Sequence, residues 1–191
     1  MRTKVQILLV CRANLCRSPM AERLTLQLLS DRGVLDVAVH SAGVHGRDGM
    51  PMHPYAKEAL RWNGLLDGDF RSRRLRAGMI TDADLVLTAS RAHRAECARL
   101  APAAVRYTFT MFQFARLAAA TPRAVLGGIE PAERLGQMIK AVPQVRALTP
   151  PYTLADEDLQ DPVNGPVTGF RHCADQIQQA MERITALIAP R

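Results

Sequence analysis

Val5-Gln6-Ile7-Leu8-Leu9-Val10 runs without a break into Cys11-Arg12-Ala13-Asn14-Leu15-Cys16-Arg17-Ser18-Pro19. The first six residues are almost all apolar, the pattern of a strand buried on both faces of a parallel sheet. Beyond Pro19, the residues Met20, Leu24 and Leu28 recur at helical spacing. A proline near a helix start is well placed, because its missing N–H would have had no partner there. The chain therefore opens with strand, tight loop and helix.

The same alternation continues outward. Asp36 to His40 reads as a second strand, ended by Ser41-Ala42-Gly43. Pro54 to Leu60 reads as a short helix, Asp84 to Thr88 as a third strand and Arg91 to Leu100 as a helix. Arg106 to Phe109 is expected as a fourth short strand. Strands alternating with helices predict an α/β domain with helices on both faces of a parallel sheet.

Thr121 to Gln160 breaks the pattern with Pro122, Pro131, Pro143, Pro150, Pro151 and the pair Gly127-Gly128. Leu135, Met138, Ile139 and Val142 keep helical spacing inside it, so we expect a mobile excursion carrying one short amphipathic helix. Phe170, Cys173, Ile177, Met181, Ile184 and Ile188 then form a helical stripe that should pack back on the sheet. Cys173 lies on that stripe and reads as a small buried hydrophobe.

Length and composition agree. At 191 residues the chain is expected to be a single domain over 1–191, with the excursion at about 121–160 inserted in it. Hydrophobic residues are 48% and charged ones 23%, which excludes a disordered chain, a collagen and a coiled coil. No apolar run approaches the ~18 residues of a membrane span, and Ile7 to Val10 is too short for a signal-peptide core. A soluble cytoplasmic protein with no membrane partner is expected. The net charge is +7 and almost entirely arginine, a side chain whose fork suits phosphate and carboxylate. Aromatics are only 5% and do not interleave with arginine, which argues against a single-stranded nucleic-acid partner. Cys11, Cys16, Cys97 and Cys173 show no zinc-ligand spacing, so no metal and no cofactor is expected.

The chemistry concentrates in the loop after the first strand. Successive backbone N–H groups there can form an anion nest, and the following helix adds its positive end. Such a field favours a thiolate at Cys11. Arg17 stands where its fork can grip two oxygens of a phosphate, and Ser18 can hydrogen-bond the sulfur. Asn14 is a residue type that tolerates a left-handed turn. Residues Arg12, Ala13, Asn14, Leu15, Cys16, Arg17 and Ser18 thus read as a phosphate-binding loop around a nucleophile, able to form a cysteinyl-phosphate. An acid for the leaving oxygen and a base for water are then needed.

This loop resembles the C-x5-R-[ST] signature of the low-molecular-weight protein tyrosine phosphatases. The likeness extends through Val10, Cys11, Asn14, Cys16, Arg17, Ser18, Pro19, Ala21 and Glu22. Ser41-Ala42-Gly43, Met52-His53-Pro54 and Asp84 to Leu87 also resemble the family, and Asp161-Pro162 resembles its acid loop. The resemblance implies a flavodoxin-like three-layer sandwich with a four-stranded parallel sheet. It also implies a metal-independent phosphomonoester hydrolase acting on phosphoproteins, with phosphotyrosine favoured. Cys11 would be nucleophile, Asp161 general acid and base, and Asn14, Ser18 and Ser41 supporting residues. Asp156, Glu157 and Asp158 lack the following proline and read as solvated loop charge.

The departures are specific. Val163-Asn164-Gly165 stands where the family usually has an aromatic residue. Phe70 replaces a histidine expected to support the Asn14 region, and Ser90 replaces an aspartate. Arg12 is a cation at the expected rim, suited to acidic sequences or simply solvated. Leu15 resembles tyrosine-directed members, whereas related arginine phosphatases usually carry threonine there. Phosphoarginine is thus a second candidate substrate. Cys16 beside Cys11 is either a redox-protective partner or a small buried residue. A thioredoxin-coupled arsenate reductase would need further cysteines in a mobile segment, and only Cys97 lies near that region. A non-catalytic phosphate-binding module ranks last, because cysteine, arginine and acid are all present.

Overall fold

The computed structural model describes residues 4–127, 130–148 and 157–189. Four strands, β1 (Val5–Cys11), β2 (Val37–Gly43), β3 (Leu85–Thr88) and β4 (Thr108–Thr110), form one sheet in the order β2-β1-β3-β4. All its pairings are parallel. The helices are α1 (Arg17–Asp31), α2 (Pro54–Trp62), α3 (Ala77–Thr81), α4 (Arg91–Leu100), α5 (Met111–Ala120), α6 (Pro131–Leu148) and α7 (Val167–Ile188).

Strand β1 explains the layering. Ile7, Leu9 and Cys11 face a core shared with α1, α2, α5, α6 and α7, while Leu8 and Val10 face a second core shared with Ile80, Cys97 and Ala104. Both faces are covered, so the strand needs an apolar run rather than an alternation. Leu9 is completely buried, and a Leu9→Ala change would cost about 2–5 kcal/mol. Chain order reverses between β1 and β3, which makes the carboxyl ends of those strands the crevice where such sheets bind ligands.

Several expected boundaries move. Strand β2 continues through Ser41-Ala42-Gly43, because its register with β1 runs on to the pair Cys11 and Gly43. A Cβ on Gly43 would stand 2.6 Å from the carbonyl carbon of Ala13, so only glycine admits the loop this close. Helix α1 starts at Arg17, with Pro19 in its first turn. Arg106 and Tyr107 belong to a 3-10 turn, Pro102–Tyr107, and the last strand is Thr108–Thr110. Helices α3 and α5 were not anticipated.

The amphipathic helix of the excursion is not short. It runs 18 residues through Pro143, with Leu135, Met138 and Val142 buried in the core. Pro143 is exposed, so its missing N–H costs the helix one hydrogen bond without opening the core. Gly128, Pro150, Pro151 and Asp156 lie outside the described residues.

Candidate active site

Cys11 is the last residue of β1 and is buried. Its Sγ lies 3.0 Å from Ser18 Oγ. Asn14 has the left-handed φ of 57° that its side chain tolerates, and it is completely buried. Its Nδ2 donates to Ser18 Oγ at 2.9 Å and to Ser41 Oγ at 2.8 Å, and its Oδ1 accepts from the backbone N–H of Arg73 at 2.7 Å. Ser41 in turn donates to Glu22 Oε2 at 2.5 Å, and Arg73 reaches the same oxygen at 3.4 Å. With Asn14 Nδ2 occupying a lone pair of Ser18, the hydroxyl proton is free to point at Cys11 Sγ. Its alternative acceptor, Ala42 O, is farther away at 3.3 Å.

The phosphate loop is open to an anion. Among the described residues, the backbone N–H groups of Ala13, Asn14, Leu15 and Cys16 have no hydrogen-bond partner. No side chain caps α1, so the unpaired donors and the positive end of the helix face the same space.

Arg17 is buried, and it reaches the far side of the crevice. One nitrogen donates to Leu159 O at 3.1 Å and the other to Asp161 Oδ2. Leu159 N donates to Ala89 O at 2.8 Å, which moors the segment carrying Asp161 to the end of β3. Cys11, Arg12, Ala13, Leu15, Cys16, Arg17, Asp161, Val163 and Asn164 thus line one cavity of about 350 Å³. The residues read as catalytic or phosphate-binding all line this cavity except Asn14 and Ser18, which with Ser41 are tied to Cys11 from behind the loop through hydrogen bonds.

Other expectations change. Phe70 is buried, and the hydrogen bond anticipated from its position is made by the backbone of Arg73 instead. Glu157 and Asp158 are not solvated loop charges. Glu157 meets Gln113 at 3.3 Å and Arg116 at 3.4 Å, while Asp158 accepts from the backbone N–H of Arg91 at 2.8 Å and from its guanidinium. Their partners on α5 and α4 hold the segment that leads into Asp161. Ser90 caps α4 and holds His93 Nδ1 at 2.7 Å. Burial, followed by the charge of Arg17, pushes the His93 imidazole down to about 4. Neither His93 nor Arg73 was anticipated, and Glu22 was noted without a role.

The four cysteines are free thiols. Burial, then the charge of Cys11, pushes the Cys16 thiol up to about 12. Burial likewise pushes Cys173 and Cys97 up to about 12. Cys97 sits in the core on the opposite sheet face from Cys11, which separates it from any thiol relay with that residue. The described residues contain no group of three or more His, Cys, Asp or Glu side chains that could hold a metal. Nor does any described helix have the length and apolarity to cross a membrane.

A doubly covered parallel sheet with a Cys-x5-Arg loop at its switch point defines a class of phosphate-loop α/β hydrolases with a thiol in the anion cradle. The model of the family described as low molecular weight phosphotyrosine protein phosphatase matches residues 6–125, and the chain belongs to that family of phosphoprotein hydrolases. It is 34% identical over 145 residues to a probable low molecular weight protein-tyrosine-phosphatase, EpsP, of Ralstonia nicotianae, covering 74% of this chain and 97% of that one. It is also 28% identical over 179 residues to a protein-arginine-phosphatase of Geobacillus stearothermophilus, covering 94% and 93%. The solved YwlE arginine phosphatase from that organism superposes with a TM-score of 0.68 at 26% identity, covering 95% of this chain and 91% of that one.

Proposed function

We propose that this chain hydrolyses phosphotyrosine in proteins, without a metal, through a cysteinyl-phosphate on Cys11. The observation that carries the reading is the convergence of Cys11, Arg17 and Asp161 on one cavity. Cys11 Sγ attacks phosphorus as the thiolate, and the bond to the leaving oxygen breaks as Asp161 protonates that oxygen. Water then attacks the cysteinyl-phosphate, gives its proton to Asp161, and expels the thiolate with release of inorganic phosphate. Arg17 and the loop N–H groups hold the equatorial oxygens, on which negative charge is concentrated in both steps. Ser18 stabilises the departing thiolate, while Asn14 and Ser41 keep Ser18 in place.

Leu15 supports tyrosine over arginine as the phosphorylated residue, because its branched side chain lines the cavity with apolar surface. An exposed aromatic stands one step behind it. Leu15 O accepts from His53 N at 2.9 Å, and Tyr55 packs edge-on against the His53 ring. The relation to the Geobacillus arginine phosphatase supports phosphoarginine as the second reading. Free thiols throughout favour the reducing cytoplasm as the site of action. Cys16 is kept as a candidate protective partner of Cys11. Residues 121–160 are read as an excursion within a single domain, leading into the acid loop.

The deciding experiment is hydrolysis of para-nitrophenyl phosphate in the presence of a chelator by wild type, Cys11→Ser and Asp161→Asn. Full activity in Cys11→Ser would overturn the mechanism. Phosphotyrosine and phosphoarginine peptides compared side by side then choose the substrate. Leu15→Thr is expected to shift the ratio towards phosphoarginine.

A further inference from the structure

The turn after β2, residues 44–50, lies along the outer edge of the phosphate loop. Val44 N donates to Cys11 O at 3.0 Å, and His45 N donates to Arg12 O at 2.8 Å. A Cβ on Gly46 would come within 3.3 Å of Ala13 O. The other side of the turn is fastened to Ser72. Met50 N donates to Ser72 Oγ at 3.0 Å, Gly49 N to Ser72 O at 2.8 Å, and Ser72 N to Met50 O at 2.9 Å. The turn is therefore held from both sides beside the cavity mouth.

Two arginines and a histidine project from this edge. Arg12, His45 and Arg47 are exposed, and none makes a side-chain hydrogen bond or ion pair among the described residues. Asp48, the acid within the turn, is already engaged. It accepts from Arg74 N at 2.7 Å and from the Arg76 guanidinium at 2.6 Å. Those bonds, the backbone one first, hold its carboxyl below the usual carboxylate range. On the Asp161 side the charges are matched, as Asp161 with Arg17 and Asp158 with Arg91. The surplus of positive charge thus falls on one side of the cavity. Arg12 lines the cavity itself.

We propose that Arg12, His45 and Arg47 form a subsite for carboxylate side chains flanking the phosphorylated residue, so that the preferred substrate is an acidic phosphopeptide segment. The proposal rests on the phosphoprotein reading above and names the substrate more narrowly. With the phosphate in the loop, the flanking residues of an extended peptide leave the cavity at its rim. A guanidinium fork there meets a carboxylate with two donors. Charges at a rim act chiefly on encounter and on discrimination between partners, and salt weakens them.

The test uses two phosphotyrosine peptides, identical except that glutamates flank the phosphorylated residue in one and glutamines in the other. Affinity is measured by fluorescence anisotropy on the Cys11→Ser chain, which retains the cradle without turnover. The glutamate peptide is expected to bind about 5–10-fold more tightly at low salt, as two rim guanidiniums would give. The difference should fall below twofold in 0.5 M salt and in a Cys11→Ser chain also carrying His45→Gln and Arg47→Ala. Equal affinities for the two peptides at low salt would overturn the subsite. Wild type and the His45→Gln/Arg47→Ala variant are assayed in parallel on para-nitrophenyl phosphate, where equal rates are expected. Loss of that activity in the double variant would assign these residues to the loop's integrity and overturn the subsite. Inactive wild type with a preserved binding difference would overturn the phosphatase reading alone.

Discussion

The guanidinium of Arg17 is hydrogen-bonded to the carboxylate of Asp161, so the proposed phosphate-gripping group and the proposed acid are joined across the cavity. A phosphate dianion entering the loop must take Arg17 from that carboxylate and sit beside its negative charge. Asp161→Asn removes the negative charge and leaves Arg17 only the weaker hold of a neutral amide oxygen. It is expected to lower turnover about 10²–10⁴-fold, most for poor leaving groups, as loss of a general acid does. The same variant should bind inorganic phosphate more tightly than wild type. Steady-state inhibition by phosphate measures one effect, and a series of aryl phosphates with graded leaving groups measures the other.

Asn14 is the hub of the buried network, and its removal leaves several groups without partners. Asn14→Ala deprives Ser18 and Ser41 of a donor and leaves the backbone N–H of Arg73 unsatisfied. Each buried unpaired group costs about 1–3 kcal/mol, and a left-handed alanine adds strain. Asn14→Gly relieves the strain but not the lost bonds. Urea unfolding should therefore rank wild type above Asn14→Gly, and Asn14→Gly above Asn14→Ala.

Gly43 sets how closely β2 approaches the phosphate loop. A methyl group there would meet backbone atoms of Ala13 and Asn14 at 2.6 and 2.7 Å. Backbone cannot step aside as a flexible side chain would, so Gly43→Ala should displace the loop. The expected outcome is at least a tenfold rise in the Kd for inorganic phosphate with the sheet still folded, read by calorimetry alongside circular dichroism.

His93 predicts a pH dependence of stability. Its folded value of about 4 lies below the unfolded value near 6.5. Between those limits the unfolded chain takes up a proton that the folded chain refuses, so stability falls as pH drops from about 6.5 to about 4. The loss attributable to this group is of order 3 kcal/mol at most. His93→Gln should flatten that part of the stability curve, measured by urea unfolding at pH 4.5 and 6.5. It should leave the curve above pH 7 nearly parallel to wild type.

Much of the centre was legible locally because strand, loop and helix are contiguous. Cys11 to Ser18 occupy one tight connection, and their chemistry depends on the order of neighbours. The remaining contributors reach the site from a distance. Arg73 lies 59 residues from Asn14 and acts through its backbone, which no side-chain pattern advertises. Asp158 looked like loop charge because its partner, Arg91, is 67 residues away. Helix α5 did carry a local signal. Thr110 accepts from Gln113 N at 3.1 Å, the hydroxyl half of a Thr-x-x-Gln capping pattern, but the strand read just before it drew the boundary elsewhere.

Cys11 closes the interior strand β1, which is laddered to β2 and β3, whereas the segment carrying Asp161 is fastened by loop and side-chain bonds. Those two attachments fail at different free energies, because interior strands open only with the whole fold and loops open locally. The two halves of the proposed reaction thus have separate lifetimes. Under mild denaturant the proposed nucleophile is expected to outlast the proposed proton donor, leaving a form that still captures phosphate and activated aryl esters but has lost command of reluctant leaving groups.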